Sequence, residues 1–242
     1  RSLVPRIVAI FGPTGIGKTG VSIELARMLE HQGERAIAVN CDSMQVYEGI
    51  ATLSGAPTAA EQEKLEHRLV GFVPVDQEFS AGSFATRARA EIDALLEEGS
   101  LPLVVGGTGL YLRAALTDLD LRPPVSAELR SRVEADLAAR GPEALHAELP
   151  ERFREQVEAG DRKRIARFTE LLLAGHEPAP DHDRGGALWT RDLRHPTLLA
   201  GLIESDETLV AKIDRRVEAM AAEAGAEADA ALAAGASRTV RA

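Results

Sequence analysis

Arg6-Ile7-Val8-Ala9-Ile10-Phe11-Gly12-Pro13-Thr14-Gly15-Ile16-Gly17-Lys18-Thr19 carries three signals in succession. Its first residues form a short, continuously apolar run, the mark of a strand buried on both faces. Residues 12–19 then fit G-x-x-x-x-G-K-[ST], and a helical pattern follows over residues 18–31, with Val21, Ile23, Leu25 and Leu29 apolar. A buried strand before the glycines and a helix after them is the context that gives this motif its meaning. The glycines let backbone N–H groups converge on phosphate oxygens, and the helix N-terminus adds a favourable dipole. In this P-loop, Gly12, Pro13, Thr14, Gly15, Ile16 and Gly17 form the cradle. Lys18 would neutralise terminal phosphates, and the Thr19 hydroxyl would ligate Mg²⁺. The loop therefore points to a di- or triphosphate.

Working outward, Ala36-Ile37-Ala38-Val39 reads as a second buried strand and Leu69-Val70-Gly71-Phe72-Val73 as a third. Residues 84–96 read as an amphipathic helix with Ser83 as its N-cap. Leu101-Pro102-Leu103-Val104-Val105 reads as a fourth strand, closed by Gly106-Gly107. Strands alternating with helices predict an α/β fold: a P-loop NTPase-like parallel sheet flanked by helices. After Arg122-Pro123-Pro124 the rhythm breaks. Residues 125–177 read as three or four helices without a strand, the clearest at 126–140 and 161–174, and a polar loop follows at 175–186. Residues 197–203 return to the sheet. A helix then opens at Asp206, with Leu209, Ile213, Val217 and Met220 on one face. Residues 221–236 hold ten alanines in sixteen, strongly helical but with little to pack. The expected division is a P-loop core over 1–122, an all-helical insertion over 123–180, and a return to the core with C-terminal helices over 181–242.

Composition bounds the class. Of the 242 residues, 45% are apolar and 27% charged, which excludes wholesale disorder. No run approaches the roughly 18 apolar residues a membrane span needs. Cys41 is the one cysteine, so there is no internal disulfide, and a reducing compartment is expected. Lys+Arg 28 against Asp+Glu 38 leaves −10, which by itself argues against a polyanionic partner. Locally the balance reverses: residues 162–167 carry four basic side chains and no acid, and Arg191 and Arg194 follow. Phosphate contacts need only such a local face, although a solvated helix face accounts for the run equally well on its own.

An ATPase needs an acid at the end of a later strand to hold Mg²⁺, yet the fourth strand runs into Gly106-Gly107-Thr108. The acid placed directly after a strand is Asp42. In small P-loop transferases a carboxylate there commonly faces the acceptor. As a general base it would contribute about 10²–10⁴-fold in rate. It could also cap a helix from Met44 onward, and the two roles can coexist.

Asp42-Ser43-Met44-Gln45-Val46-Tyr47 resembles the signature of the tRNA dimethylallyltransferases. The similarity continues through His67-Arg68-Leu69, residues 80–84 and Gly106-Gly107-Thr108-Gly109-Leu110-Tyr111. Beyond these, Asp161-Arg162-Lys163-Arg164-Ile165-Ala166-Arg167 resembles the family's basic segment and Ile213-Asp214-Arg215-Arg216-Val217 its arginine-bearing helix. The motifs fall in family order over essentially the whole chain. The resemblance implies transfer of a dimethylallyl group from dimethylallyl diphosphate, held by the P-loop with Mg²⁺. The acceptor would be N6 of the adenosine at position 37 in the tRNA anticodon stem-loop. Lys18 and Arg216 would stabilise the diphosphate, and Asp42 would take the proton. Thr14 and Thr108 would line the channel, and Ser43 and Gln45, with Met44 between them, would meet the adenine. Arg130, Lys163, Arg164 and Arg167 would contact tRNA. A monomeric, cytoplasmic enzyme is implied, with no membrane association.

Departures accompany the likeness. The family's His-Pro-Asn before the basic segment is Glu158-Ala159-Gly160 here, and Gly-Thr-Ala-Lys-Pro is Ser54-Gly55-Ala56-Pro57 preceded by Leu53, without the lysine. Family members also continue past the point where Ala242 stands, so a shortened C-terminal end is expected. Two other classes compete: a small-molecule or nucleoside monophosphate kinase using residues 162–167 as a phosphate-gripping lid, and an adenylate isopentenyltransferase. Asp181-His182-Asp183 reads as a surface loop rather than a metal site, and Trp189 as a packing residue. Aromatics at 4% argue against a base-stacking platform.

Overall fold

A computed structural model describes residues 5–118, 125–176 and 192–241. The chain divides into two compact units, Arg1–Leu119 with Arg191–Ala242, and Asp120–Thr190. The Arg122-Pro123-Pro124 linker, most of the 175–186 loop with Asp181-His182-Asp183, Trp189 and Arg191 lie outside the described residues.

The first unit is built on a parallel sheet of five strands in the order β3-β2-β4-β1-β5, with β1 Ile7–Phe11, β2 Ala36–Asn40, β3 His67–Arg68, β4 Leu101–Gly106 and β5 Thr197–Gly201. Its helices are α1 Lys18–Glu30, the short α2 Ala51–Ser54 and α3 Ala59–Gln62, α4 Ala81–Glu97 and α5 Gly109–Leu116. Ile37, Ala38 and Val39 are consecutive and fully buried, so both faces of the sheet are covered, as a parallel sheet requires. Val8, Ile10, Ala38 and Leu103 pack with Ala26 of α1. Phe84 of α4 stacks on Tyr111 of α5, ring centroids 4.1 Å apart. Because β1, β2 and β4 run parallel and adjacent, the segments after Phe11, Asn40 and Gly106 emerge at one edge, where open α/β sheets place ligands.

Three local expectations need correction. The third strand is His67–Arg68, and residues 69–73 leave the sheet. Leu69 takes a left-handed φ of 60°, its carbonyl accepts from Asn40 Nδ2 at 2.9 Å, and Gly71, Phe72 and Val73 donate instead to Gln45 and Val46. The cap of α4 is Ser80, whose hydroxyl accepts from Ser83 N; Ser83 is already inside the helix. The helix opening at Asp206 is α10, Asp206–Ala233, capped by Ser205. Its Val217 is 60% exposed, and Arg216 takes the inward direction between Ile213 and Met220. A final turn, α11, covers Arg238–Arg241, after Ser237 N donates to Val75 O.

Re-entry of the chain into this unit is pinned. Asp93 on α4 accepts from Arg194 at 3.0 Å and meets His195 Nε2 at 2.7 Å, while Arg194 also pairs with Asp118. Arg194 is thus consumed within the core unit, which removes it from the basic surface that the sequence suggested.

The second unit is a helical cluster of α6 Ala127–Arg140, α7 Pro142–Glu148, α8 Glu151–Arg154 and α9 Arg162–Leu173. Leu137, Leu145, Phe153, Ile165 and Phe168 form its core, with Phe153 and Phe168 stacked at 5.3 Å. The Asp161 side chain caps α9 by accepting from Arg164 N. Arg162 and Lys163 are exposed and Arg130 is half-buried. Arg167 differs: it pairs at 3.1 Å with Glu170, whose side chain is only 8% exposed. Removing one partner of a buried pair strands the other charge. Arg167→Ala should therefore lower stability by about 2 kcal/mol, the low end for such a pair because Arg167 is partly solvated. Arg167→Ala with Glu170→Leu should recover most of that loss in urea denaturation; no loss in the single variant would free Arg167 for another role.

Candidate active site

The loop between β1 and α1 has left-handed φ at Gly15 (81°) and Gly17 (95°), conformations that an L side chain takes only under strain. Gly17 occupies the N-cap of α1 without any side-chain cap, which leaves the first N–H groups of the helix directed at the loop. Ile16 turns inward and is buried. Lys18 Nζ donates to Gly12 O at 2.9 Å and Pro13 O at 3.0 Å, tying the helix start back over the cradle. Burial pushes the Lys18 ammonium below its ordinary pKa; Asp42 opposes that and Arg216 adds to it.

Asp42 is held by backbone-directed bonds. Asn40, buried at the end of β2, accepts from Asp42 N through Oδ1 at 3.0 Å while its Nδ2 reaches Leu69 O. Asp42 Oδ1 in turn accepts from Met44 N at 2.9 Å. Oδ1 serves the turn, whereas Oδ2 accepts no hydrogen bond among the described residues, so capping would leave it available for a chemical role. Beside it, Ser43 N donates to Thr108 Oγ1 at 3.3 Å, and their hydroxyls lie 3.4 Å apart, so β2 and β4 deliver these two side chains together. Cys41 is buried with no partner for redox chemistry among the described residues, and desolvation raises its pKa.

A cavity of about 760 Å³ opens at this edge. Thr14, Gly15, Gly17, Lys18, Thr19, Asp42, Gln45 and Arg216 line it, and so do Lys212 and the 51–62 segment. Gly12, Pro13, Ile16, Ser43, Met44 and Thr108 stand at the same sheet edge without lining it. Arg130, Lys163, Arg164 and Arg167 belong to the other unit.

Arg216 reaches the cavity from α10. Its guanidinium lies against Gly55: a Cβ on that glycine would sit 1.1 Å from Nη2. Its Nε is 3.4 Å from Met220 Sδ, and no carboxylate pairs with it among the described residues. Gln45 Nε2 donates to Gly55 O at 3.0 Å, which fixes the glycine from the other side. Lys212 also faces the cavity but is paired with Glu204. Sequence reading missed Asn40, Gly55 and Lys212. The Asn40 role was signalled only by an amide at the end of an apolar strand, and Gly55 by nothing local.

A P-loop between a buried parallel strand and a helix, opening on two cations without carboxylate partners among the described residues, defines an α/β protein with a candidate phosphate site. Comparison with known proteins narrows the class. The profile described as IPP transferase matches residues 45–240. A tRNA dimethylallyltransferase of Syntrophobacter fumaroxidans is 35% identical over 229 residues, covering 90% of this chain and 62% of that protein. One from a Bradyrhizobium species is 36% identical over 240 residues, covering 96% of this chain and 75% of that protein. The structure of the tRNA isopentenylpyrophosphate transferase of Bacillus halodurans matches with a TM-score of 0.64 at 28% identity, over 99% of this chain and 74% of that one. The chain thus spans 62% and 75% of the length of these two curated relatives. It belongs to the IPP transferase family.

Gly55 offers a direct test of the Arg216 placement. In Gly55→Ala the new methyl must displace the guanidinium, and the left-handed φ of 61° adds strain. Stability should fall by only about 1 kcal/mol, while affinity for inorganic pyrophosphate drops about tenfold, the scale of one lost charged hydrogen bond. Unchanged pyrophosphate binding in calorimetry would remove Arg216 from the anion site.

Proposed function

We propose that the chain transfers a dimethylallyl group from dimethylallyl diphosphate to N6 of adenosine 37 in tRNA, next to the anticodon. The observation that carries this reading is that Asp42, Lys18 and Arg216 line one cavity. A carboxylate and two cations on one reacting centre suit a reaction that releases a proton on one side and a diphosphate on the other.

The reaction breaks the allylic C–O bond of the donor as the N6 lone pair forms the new N–C bond. Positive charge develops on the prenyl carbon and negative charge on the departing diphosphate. Backbone N–H groups at the start of α1, Lys18 and Arg216 receive that negative charge. One such preorganised donor is typically worth about 3 kcal/mol in the transition state. Oδ2 of Asp42 accepts the N6 proton, while Oδ1 stays bound to Met44 N and keeps the carboxylate oriented. Thr14 lines the same cavity, and Ser43 with Thr108 provides hydroxyls beside Asp42.

Thr19 fits a Mg²⁺ role. It lines the cavity next to Lys18. One protein hydroxyl completed by phosphate oxygens and water is a coordination set that Mg²⁺ accepts. When bound, the ion would neutralise charge on the diphosphate.

Support for tRNA as acceptor comes from the names of the relatives and from the exposed basic residues Arg162 and Lys163 of α9. An unpaired loop base also minimises the few kcal/mol needed to leave the stack. The chain has no helix among its described residues long and apolar enough to cross a membrane. The reading places a monomer in the cytoplasm, in keeping with its single, buried, free cysteine.

Radiolabelled dimethylallyl diphosphate with Mg²⁺, offered unmodified tRNA, AMP or no acceptor, should label tRNA alone. Label in AMP but not tRNA would indicate an adenylate isopentenyltransferase, and ATP-dependent phosphorylation without prenyl transfer a kinase. Asp42→Ala should lower transfer about 10²–10⁴-fold while leaving pyrophosphate binding intact; full activity would remove the base assignment. Lys163→Ala should reduce by about one the slope of log affinity for tRNA against log salt. An unchanged slope would make Lys163 a solvated surface charge.

A further inference from the structure

Arg216 is one of a row of α10 side chains turned toward the cavity wall. Arg216, Met220, Glu223 and Glu227 recur at helical spacing on one face, and the last two meet α2. Thr52 N donates to Glu227 Oε1 and Leu53 N to Oε2, both at 2.9 Å, and Thr52 Oγ1 lies 3.4 Å from Glu223 Oε2. The N-cap of α2 is Ile50, which has no side-chain acceptor. A four-residue helix cannot sustain itself, and its first N–H groups need partners. Glu227 supplies them from 175 residues away. At the other end of α2 stands Gly55, with the Arg216 guanidinium on its open face and Gln45 on its carbonyl. One helix therefore grips both ends of the segment that walls the cavity.

We propose that Glu227 is a positioning residue for the phosphate site. Its carboxylate fixes α2 on α10, which keeps Gly55 beneath Arg216 and Arg216 directed to the side of the cavity where Lys18 lies. The bidentate bond to two adjacent N–H groups sets the rotation of α2 as well as its distance, and that rotation decides which face of Gly55 meets the guanidinium. Glu223 assists through the Thr52 hydroxyl. The inference rests on the reading of Arg216 as a diphosphate contact. It assigns the long alanine-rich helix a part in the site, through its carboxylates, that its composition conceals.

Inorganic pyrophosphate with Mg²⁺ is the probe, titrated calorimetrically into the wild-type chain, Glu227→Ala, Glu227→Gln, Arg216→Ala and the Glu227→Ala/Arg216→Ala double variant. Arg216→Ala should weaken binding about tenfold. Glu227→Ala should lose most of the same factor, and Glu227→Gln, which keeps one acceptor, less. The double variant should bind no more weakly than Arg216→Ala alone, because both changes remove one interaction. A residue that only stabilises the helix would instead lower the thermal midpoint and leave pyrophosphate affinity unchanged. Wild-type affinity in Glu227→Ala, or losses that multiply in the double variant, would overturn the proposal. Should Glu227→Ala fail to fold, the same cycle run with Glu227→Gln decides it by the same criterion. A wild-type chain that binds pyrophosphate but transfers no dimethylallyl group would overturn the prenyl-transfer reading and leave Glu227 standing. One that binds no pyrophosphate would overturn both.

Discussion

Two positive charges that find no carboxylate partner among the described residues, Lys18 and Arg216, set the terms for the architecture around this cavity. Several other cations are neutralised: Arg68 by Glu66 and Glu91, Arg194 by Asp93 and Asp118, Arg167 by Glu170. Leaving two of them unpaired in one partly desolvated space raises the energy of the site, and the depressed pKa of Lys18 shows that cost. Asp42 relieves it only in part: its negative charge opposes the lowering of the Lys18 pKa, but it forms no ion pair with either cation among the described residues, so an anion entering between them would relieve the rest.

Holding such charges requires rigid supports, and the sheet supplies them. Parallel pairing of β2, β4 and β1 carries the Asp42 turn, Thr108 and the P-loop to a common edge, with Cys41 N bonded to Val105 O as the last rung. The buried Asn40 amide then spends its polar atoms on the Asp42 and Leu69 backbones, so a polar group inside the core becomes the device that orients the acid. Arg216 has no strand beneath it. Its support comes from contacts between α10 and α2, which is why Gly55 and Glu227 matter more than their exposed surroundings suggest.

This division explains what could be read from the sequence. The P-loop was legible because its chemistry is local: glycines, lysine and threonine act through backbone geometry within eight consecutive residues. The position of Asp42 followed equally from a strand ending. The third strand was misplaced because the apolar run at 69–73 resembles a strand, while Asn40, almost thirty residues earlier, captures the Leu69 carbonyl and turns the chain away. Helical spacing groups Val217 with Leu209, Ile213 and Met220 on one apolar face. The α10 face is chosen instead by Arg216, Glu223 and Glu227, whose partners lie more than 150 residues back and leave no periodic trace.

The same reasoning changes what net charge can say about partners. A balance of −10 predicts repulsion of a polyanion at long range. Many of the carboxylates behind that number are spent internally, however: Glu227 and Glu223 on α2, Glu61 on the capping box of α3, Asp93 on the re-entry clamp, Glu170 on Arg167. A carboxylate paired with a guanidinium is offset locally, and beyond a Debye length of roughly 8 Å at physiological salt the field of any exposed charge is largely screened. The cations are sorted likewise: Arg167 and Arg194 are committed to the fold, whereas Arg162 and Lys163 stand exposed at the start of α9. The Arg164 N–H in that first turn is already taken by the Asp161 carboxylate, so the two side chains rather than the helix end carry the local positive charge. A local basic face is thus a property of a few residues, and a formal charge summed over the chain does not resolve it.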